Sequence, residues 1–433
     1  MKTANFRLVS PLRVDCFFLP GVEFCETAAN FQFWESVATA SGATHLREKP
    51  TEGKLQYGST ASVDLPHDIA LLKNTVTVPT DYVHAQFPHI SVTHVQWQLC
   101  DSGVLLVETF LTVDIQGREA ADVEQDVQAA AAYVTSHAIT ENYNDLKNTI
   151  MSVDGYENFV VFRGKTPVEN AWASRALILD RENAGPEEYH FAEAWLANNK
   201  ERKEIVEKLE RGEIHHSADW MNYIYVKETP ENRADMQETW KALLRAQFFY
   251  SAMGRIDSQL TEILSWAMSR SEDISTTKLR EQLRQEMDFA EALLLKKSEV
   301  GKFVNPSSRQ ETERILDVWD FDDVLADPVS TKLQICQARI DNIENERRRS
   351  ASFFTDLILM VIGVTSILGT ALAVVSLGRD ASVDPNQTVY DLGAGDLTTW
   401  IATQPIDVIL LISTIVSALM VIAFVFARKK SES

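Results

Sequence analysis

Two long apolar segments toward the C-terminal end constrain this chain more than any other feature. They run from Thr355 to Leu377 and from Ile406 to Ala427, joined by a short polar stretch. At about 1.5 Å of rise per residue, a helix over either segment would be roughly 33 Å long, against a hydrocarbon core of about 30 Å. Each carries a single acid near its start, Asp356 and Asp407. A segment in lipid must satisfy its own backbone polar groups, so the pattern predicts two membrane-spanning helices. Arg347-Arg348-Arg349 precedes the first and Arg428-Lys429-Lys430 follows the second. The joining stretch, Gly378 to Pro405, sets Arg379 against Asp380, Asp384, Asp391 and Asp396. Basic flanks stay on the cytoplasmic side, so the expectation is a hairpin in the inner (plasma) membrane with both ends cytoplasmic. Met1 to Ser10 has no apolar core of the signal-peptide kind, which agrees.

The part before residue 350 is long enough for one large domain or two ordinary ones. The net charge of the 433 residues is −21, which repels phosphate backbones and argues against a nucleic acid polymer as partner. Cys16, Cys25, Cys100 and Cys336 form no C-x-x-C pair and read as reduced thiols. Strand character appears at residues 13–24, 76–78, 90–99, 104–113, 159–162, 176–179 and 220–226. Asp101-Ser102-Gly103 marks a hairpin turn between two of these runs. Helical spacing appears over residues 118–151 and 186–211, the second ended by Gly212. Residues 1–230 therefore predict an α/β (or α+β) cytoplasmic domain built on one sheet.

From residue 231 to 327 the pattern is helical, over 232–268, 275–297 and 310–319. Asp327-Pro328 is a helix start, and nothing from Val329 to Leu377 stops it. Residues 328–377 predict one long stalk helix continuing into the first span. Residues 378–405 follow as an external loop, 406–427 as the second span and 428–433 as a basic tail. One stripe of the first span holds Asp356, Gly363, Ser366, Thr370 and Ala373. Two readings stand side by side. Small residues let transmembrane backbones approach closely, and hydroxyls with a ring of carboxylates line a cation path when copies surround an axis.

This order of elements resembles the CorA-type two-transmembrane family of magnesium and divalent-cation channels. The resemblance rests on the α/β body, the helical section, the unbroken long helix, the short loop, the second span and the basic end ARKKSES. It implies a homo-oligomer, a pentamer in that family, with the Asp356, Gly363, Ser366, Thr370 and Ala373 stripe lining the pore. The family's external mouth, Gly-Met-Asn, reads Gly378-Arg379-Asp380 here and keeps only the glycine. No cofactor is firmly implied, with Mg2+ or another divalent cation expected as substrate or regulator. Asp320, Asp322 and Asp323 are the candidate intracellular metal ligands, since hard cations take several oxygens.

A second reading is a membrane-tethered sensor or scaffold that binds a small nucleotide or a protein, as some CorA-like effectors of bacterial antiviral defence do. A pocket lined by basic residues within the acidic body would favour it. No Walker loop, G-x-S-x-G or H-E-x-x-H is present, so no enzyme is expected.

Overall fold

The longest strands form where apolar side chains recur at every second residue. In β1 (Thr3–Arg13) Phe6, Leu8 and Leu12 enter the hydrophobic core, with Arg7 between them on the opposite face. In β6 (Val104–Asp114) Leu105, Val107, Leu111 and Val113 do the same. In β5 (Ile90–Cys100) a register shift between Val92 and His94 separates Ile90 and Val92 from Val95, Trp97 and Leu99. The shift keeps both sets facing the core.

The computed structural model describes residues 3–19, 28–46, 69–78, 80–100, 102–163, 169–170, 172–217, 219–268, 276–383, 400 and 404–431. Two units divide the chain, Met1–Ile340 and Asp341–Ser433. The first is a mixed α/β body. Its other strands are β2 (Cys16–Phe18), β3 (Thr44–His45), β4 (Ala70–Val76), β7 (Val160–Phe162), β8 (Glu169–Asn170), β9 (Ser174–Leu179), β10 (His216–Ser217) and β11 (Asn222–Val226). The main sheet has the order β10-β11-β9-β1-β6-β5-β4-β3, with β8 also on β1. All its neighbours pair antiparallel except β11 with β9.

Helices cover both faces. On one lie α1 (Ala28–Ser41), α2 (Thr80–Gln86), α3 (Ala120–Val134), α4 (Thr140–Ser152), α5 (Pro186–Trp195) and α6 (Arg202–Arg211). Val123, Val127, Ala130, Ala131 and Val134 of α3 recur at helical spacing and enter the same core as the strands. A short π-helical turn, Thr135–Ile139, joins α3 to α4. The other face is covered by α7 (Arg233–Met268), which packs on β1 and β6 and is flanked by α8 (Thr276–Phe303) and α9 (Pro306–Val318).

Several expectations change. The strand expected over 13–24 is β1 ending at Arg13 followed by β2, and residues 20–24 lie outside the described residues. The helix expected over 186–211 is two, because Asn199 turns the chain: its side-chain oxygen accepts from the Glu201 amide at 2.9 Å. Gly212 does end α6, at φ +71.

Helix α10 runs from Asp327 to Val383 and crosses from the first unit to the second, which also holds α11 (Ile406–Ser431). Asp327 is not an isolated start, because a π-helical turn over Asp322–Ala326 leads straight into it. Gly378, Arg379 and Asp380 lie in the last turns of α10, not in a loop. The centre of the expected external loop, with Asp384, Asp391 and Asp396, lies outside the described residues.

The membrane expectation is overturned. Among the described residues, no helix is long and apolar enough to cross a membrane. Along α10 the aliphatic Ile358, Leu359, Ile362 and Leu372 are interspersed with Gly363, Thr365, Ser366, Gly369, Thr370 and Ala373. Ser413, Thr414 and Ser417 interrupt α11 in the same way. The two-span, inner-membrane placement is corrected accordingly, and the ion-transport reading loses its support.

The β5–β6 reversal generates a stability prediction. Ser102 and Gly103 both take positive φ, 54° and 68°. A Cβ on Gly103 would stand 2.7 Å from the Val14 carbonyl oxygen, which is backbone and cannot yield. Gly117 has a similar φ, +71°, but open space around it. Urea denaturation should show Gly103→Ala costing about 3–5 kcal/mol and Gly117→Ala only about 1.

Candidate functional site

The sheet face under α7 carries charge and amides where a core face would carry aliphatics. Strand alternation puts Gln96 and Gln98 of β5 and Glu108 of β6 on this face, with Gln96 directly opposite Glu108. Arg7 of β1 lies two residues along from Val9, which pairs with Glu108. The Glu108 carboxylate is fully buried, at 0 % exposure. Arg7 donates to its Oε2 from Nε at 2.9 Å and again from Nη2. Gln96 and Gln98 donate their Nε2 groups to Oε1 at 2.7 and 3.1 Å. The Trp240 indole of α7 donates to Oε2 at 2.7 Å. An isolated buried carboxylate would be very costly, and convergent donors with one bidentate-capable guanidinium are what make it tolerable. The Arg7 guanidinium also lies 3.8 Å from the Trp240 ring centroid and 4.9 Å from that of Phe110.

Beside this network opens a cavity of about 290 Å³. Its walls are aromatic or apolar, from Phe110, Tyr225, Met236 and Trp240, with Tyr225 edge-on to Trp240 at 5.2 Å. Its polar groups are Arg7, Asn5, Thr93, Thr112 and Glu228. The Thr112 hydroxyl donates to the Asn5 side-chain oxygen at 2.9 Å, which turns the Asn5 amide nitrogen the other way. An apolar pocket with a few convergent polar groups is the usual form of a small-molecule site. A larger and more open cleft of about 690 Å³ lies between the β6–α3 turn and α5, lined by Arg118, His190 and Arg202 but also by Glu119, Glu187 and Glu193.

Further along α7, polar contacts to the sheet body recur among its buried apolar side chains. Gln247 bonds both the Trp172 indole and the Ser174 hydroxyl. Arg255 donates to the carbonyls of Val14 and Gly103. Burial first, then Arg13, lowers the Arg255 pKa to about 10, so it stays charged at neutral pH. Arg163 pairs with Glu286 of α8, whose carboxyl burial holds above its ordinary value against that attraction. Asp15 accepts from the Tyr143 hydroxyl at 2.6 Å and the Lys147 ammonium at 2.5 Å. Burial, reinforced by Asp15, holds the Cys16 thiol well above its ordinary value, so it is no thiolate nucleophile.

The residues singled out from sequence fall elsewhere. Asp320, Asp322 and Asp323 are all exposed, and Asp322 takes the Lys297 ammonium at 2.8 Å. Among the described residues no group of three His, Cys, Asp or Glu side chains is placed to hold a metal. Gly363, Ser366, Thr370 and Ala373 are exposed on α10, and the Thr370 hydroxyl donates to the Ser366 carbonyl of its own helix at 2.8 Å. Asp356, Gly378, Arg379 and Asp380 lie on α10 as well. Within the first unit, Asp320, Asp322 and Asp323 do not line the cavity. Sequence reading missed Arg7, Glu108 and Trp240. The one available signal was a glutamate inside the otherwise apolar run VLLVETFLTV.

Two measurements follow from this geometry. Glu108→Ala strands four donor side chains in the interior and should lose about 3–5 kcal/mol in urea denaturation, while Glu119→Ala at the cleft mouth should stay within about 0.5. The second concerns Glu311 of α9, which His216 approaches at 3.1 Å and Arg314 at 2.7 Å. Burial pushes its carboxyl up, but those hydrogen bonds outweigh it and leave the pKa below the ordinary 4.5. Its stabilising effect is present above the unfolded value and is lost as pH falls through the folded one. The stability gap between the native chain and Glu311→Gln should therefore be full at pH 7 and close below about pH 4.5. A gap that widens in acid contradicts the assignment.

No family model matches the chain, and no curated protein or solved structure is significantly similar to it.

Proposed function

We propose that the first unit is a ligand-sensing module rather than an enzyme, and that its ligand is an uncharged planar heteroaromatic molecule of the nucleobase or nucleoside class. The single observation that carries this reading is the cavity over Arg7, Phe110 and Trp240, set against a buried hydrogen-bond hub. Rings and a guanidinium plane stack on bases, and neighbouring amides and hydroxyls read their edges. Asn5, Thr93 and Thr112 supply those edge groups. Glu228 in the lining and the net charge of −21 disfavour a phosphate tail, so a nucleoside is favoured over a nucleotide.

The module's output runs through α7. A ligand against Arg7 and Trp240 touches the groups that hold Glu108, and α7 also meets α10, where Lys332 bonds Asp257 at 2.5 Å and Thr261 at 2.6 Å. Shifting such an equilibrium requires the ligand to bind one arrangement of α7 better than the other.

Isothermal titration with adenosine, guanosine and cytidine tests the reading. At least one should bind, and Phe110→Ala should weaken it by about tenfold or more through loss of a stacking wall. No binding by any nucleoside, or unchanged affinity in Phe110→Ala, would overturn it.

A further inference from the structure

The polar groups of the cavity over Arg7 and Trp240 divide into donors and acceptors by what each already bonds. Arg7 commits Nε and Nη2 to Glu108, and among the described residues its Nη1 has no acceptor. The Thr112 hydroxyl holds the Asn5 side-chain oxygen at 2.9 Å, which leaves the Asn5 amide nitrogen as a second donor. The Thr93 hydroxyl donates to the Phe110 carbonyl at 3.1 Å, so Thr93 and Thr112 have lone pairs left to offer. Glu228 is a carboxylate with no hydrogen-bond or ion-pair partner among the described residues. These groups come from opposite walls. Asn5 and Tyr225 both pair with Ile178, so β9 alone separates them. At about 4.8 Å per strand, β1 and β11 stand about 10 Å apart. Arg7 follows Asn5 on the β1 wall, Glu228 follows Tyr225 past the end of β11, and the Phe110 and Trp240 rings complete the lining. The space is bounded by donors on one side and a carboxylate on the other.

We propose that this cavity is selective for guanine and that Glu228 is the residue that selects it, an inference that rests on the nucleoside reading above. Guanine carries N1–H and the N2 amino group side by side, with the acceptors O6 and N7 on the neighbouring edge. A carboxylate takes two adjacent N–H groups with its two oxygens, as it takes a guanidinium fork. Arg7 Nη1 and the Asn5 amide nitrogen then supply donors to O6 and N7. Adenine and cytosine each present one amino group, and the ring nitrogen beside it is an acceptor. That nitrogen would face Glu228 lone pair to lone pair. A site whose polar groups are left unpaired rejects the wrong ligand far more strongly than an apolar wall does.

The test is titration calorimetry of the full chain with guanosine, inosine, adenosine and cytidine. Guanosine should bind at least about tenfold more tightly than adenosine or cytidine. Inosine keeps O6, N7 and N1–H but lacks the amino group, and should bind about tenfold more weakly than guanosine. Glu228→Gln should weaken guanosine about tenfold and inosine by less, so the ratio between them narrows. Loss of packing alone would not narrow that ratio. Phe110→Ala should instead weaken all the nucleosides alike, because stacking does not read the edge. Glu228 is exposed, so its variant keeps the fold, which an unchanged Tm verifies. Equal affinity for guanosine and adenosine, or a guanosine-to-inosine ratio that Glu228→Gln leaves unchanged, would overturn the guanine assignment while the nucleoside cavity stands. No binding by any of the four would overturn both.

Discussion

The fold depends on keeping one carboxylate, Glu108, charged and satisfied in the middle of the sheet. Its donors come from three elements: Arg7 on β1 and Trp240 on α7, both more than a hundred residues away, and Gln96 and Gln98 on the hairpin partner β5. Each bond alone contributes little net stability, on the order of 1–3 kcal/mol when a charge is involved. The larger effect is directional. An arrangement that misplaces α7 leaves a buried charge short of partners, and that penalty excludes alternatives which apolar packing would tolerate.

The same logic continues along α7. Trp240, Gln247 and Arg255 each hydrogen-bond a group of the sheet body, and Asp257 bonds Lys332 of α10. These contacts fix the rotation and the axial position of a 36-residue helix that hydrophobic burial alone would specify poorly. The opposite face behaves differently. There α3 and α4 insert Val123, Val127, Leu146 and Ile150 into an aliphatic and aromatic core, and stability comes from area removed from water. The α7 face also buries apolar side chains, among them Leu243, Phe248 and Met253, and adds to them the polar contacts that set register and border the cavity.

The sequence made the periodic parts of this arrangement legible and left its long-range parts hidden. The β5–β6 hairpin and α7 follow from alternation, turn residues and helical spacing. The first strand did not, because Pro11 lacks a donor and argues against a central strand, yet it pairs with Leu106 in the register of β1 and β6. Helix α1 has no acid in its first turn and no base in its last, and no element is predicted from sequence at Phe31 and Trp34. The apolar segments after residue 355 suggested membrane spans, which the described helices do not sustain. The site itself was the least legible. Glu108 stands out only as the one charged residue inside the run VLLVETFLTV, and the indole that meets it is 132 residues away. Nothing local in either segment announces the other.

The direct test of this account is a double-mutant cycle between Glu108→Gln and Trp240→Phe, read by urea denaturation. Glu108→Gln keeps the length of its side chain and removes the charge, and Trp240→Phe keeps an aromatic ring and removes the indole donor that the two residues share. A hub that positions α7 predicts a coupling of about 1–2 kcal/mol between them, whereas effects that add within about 0.5 kcal/mol would contradict it.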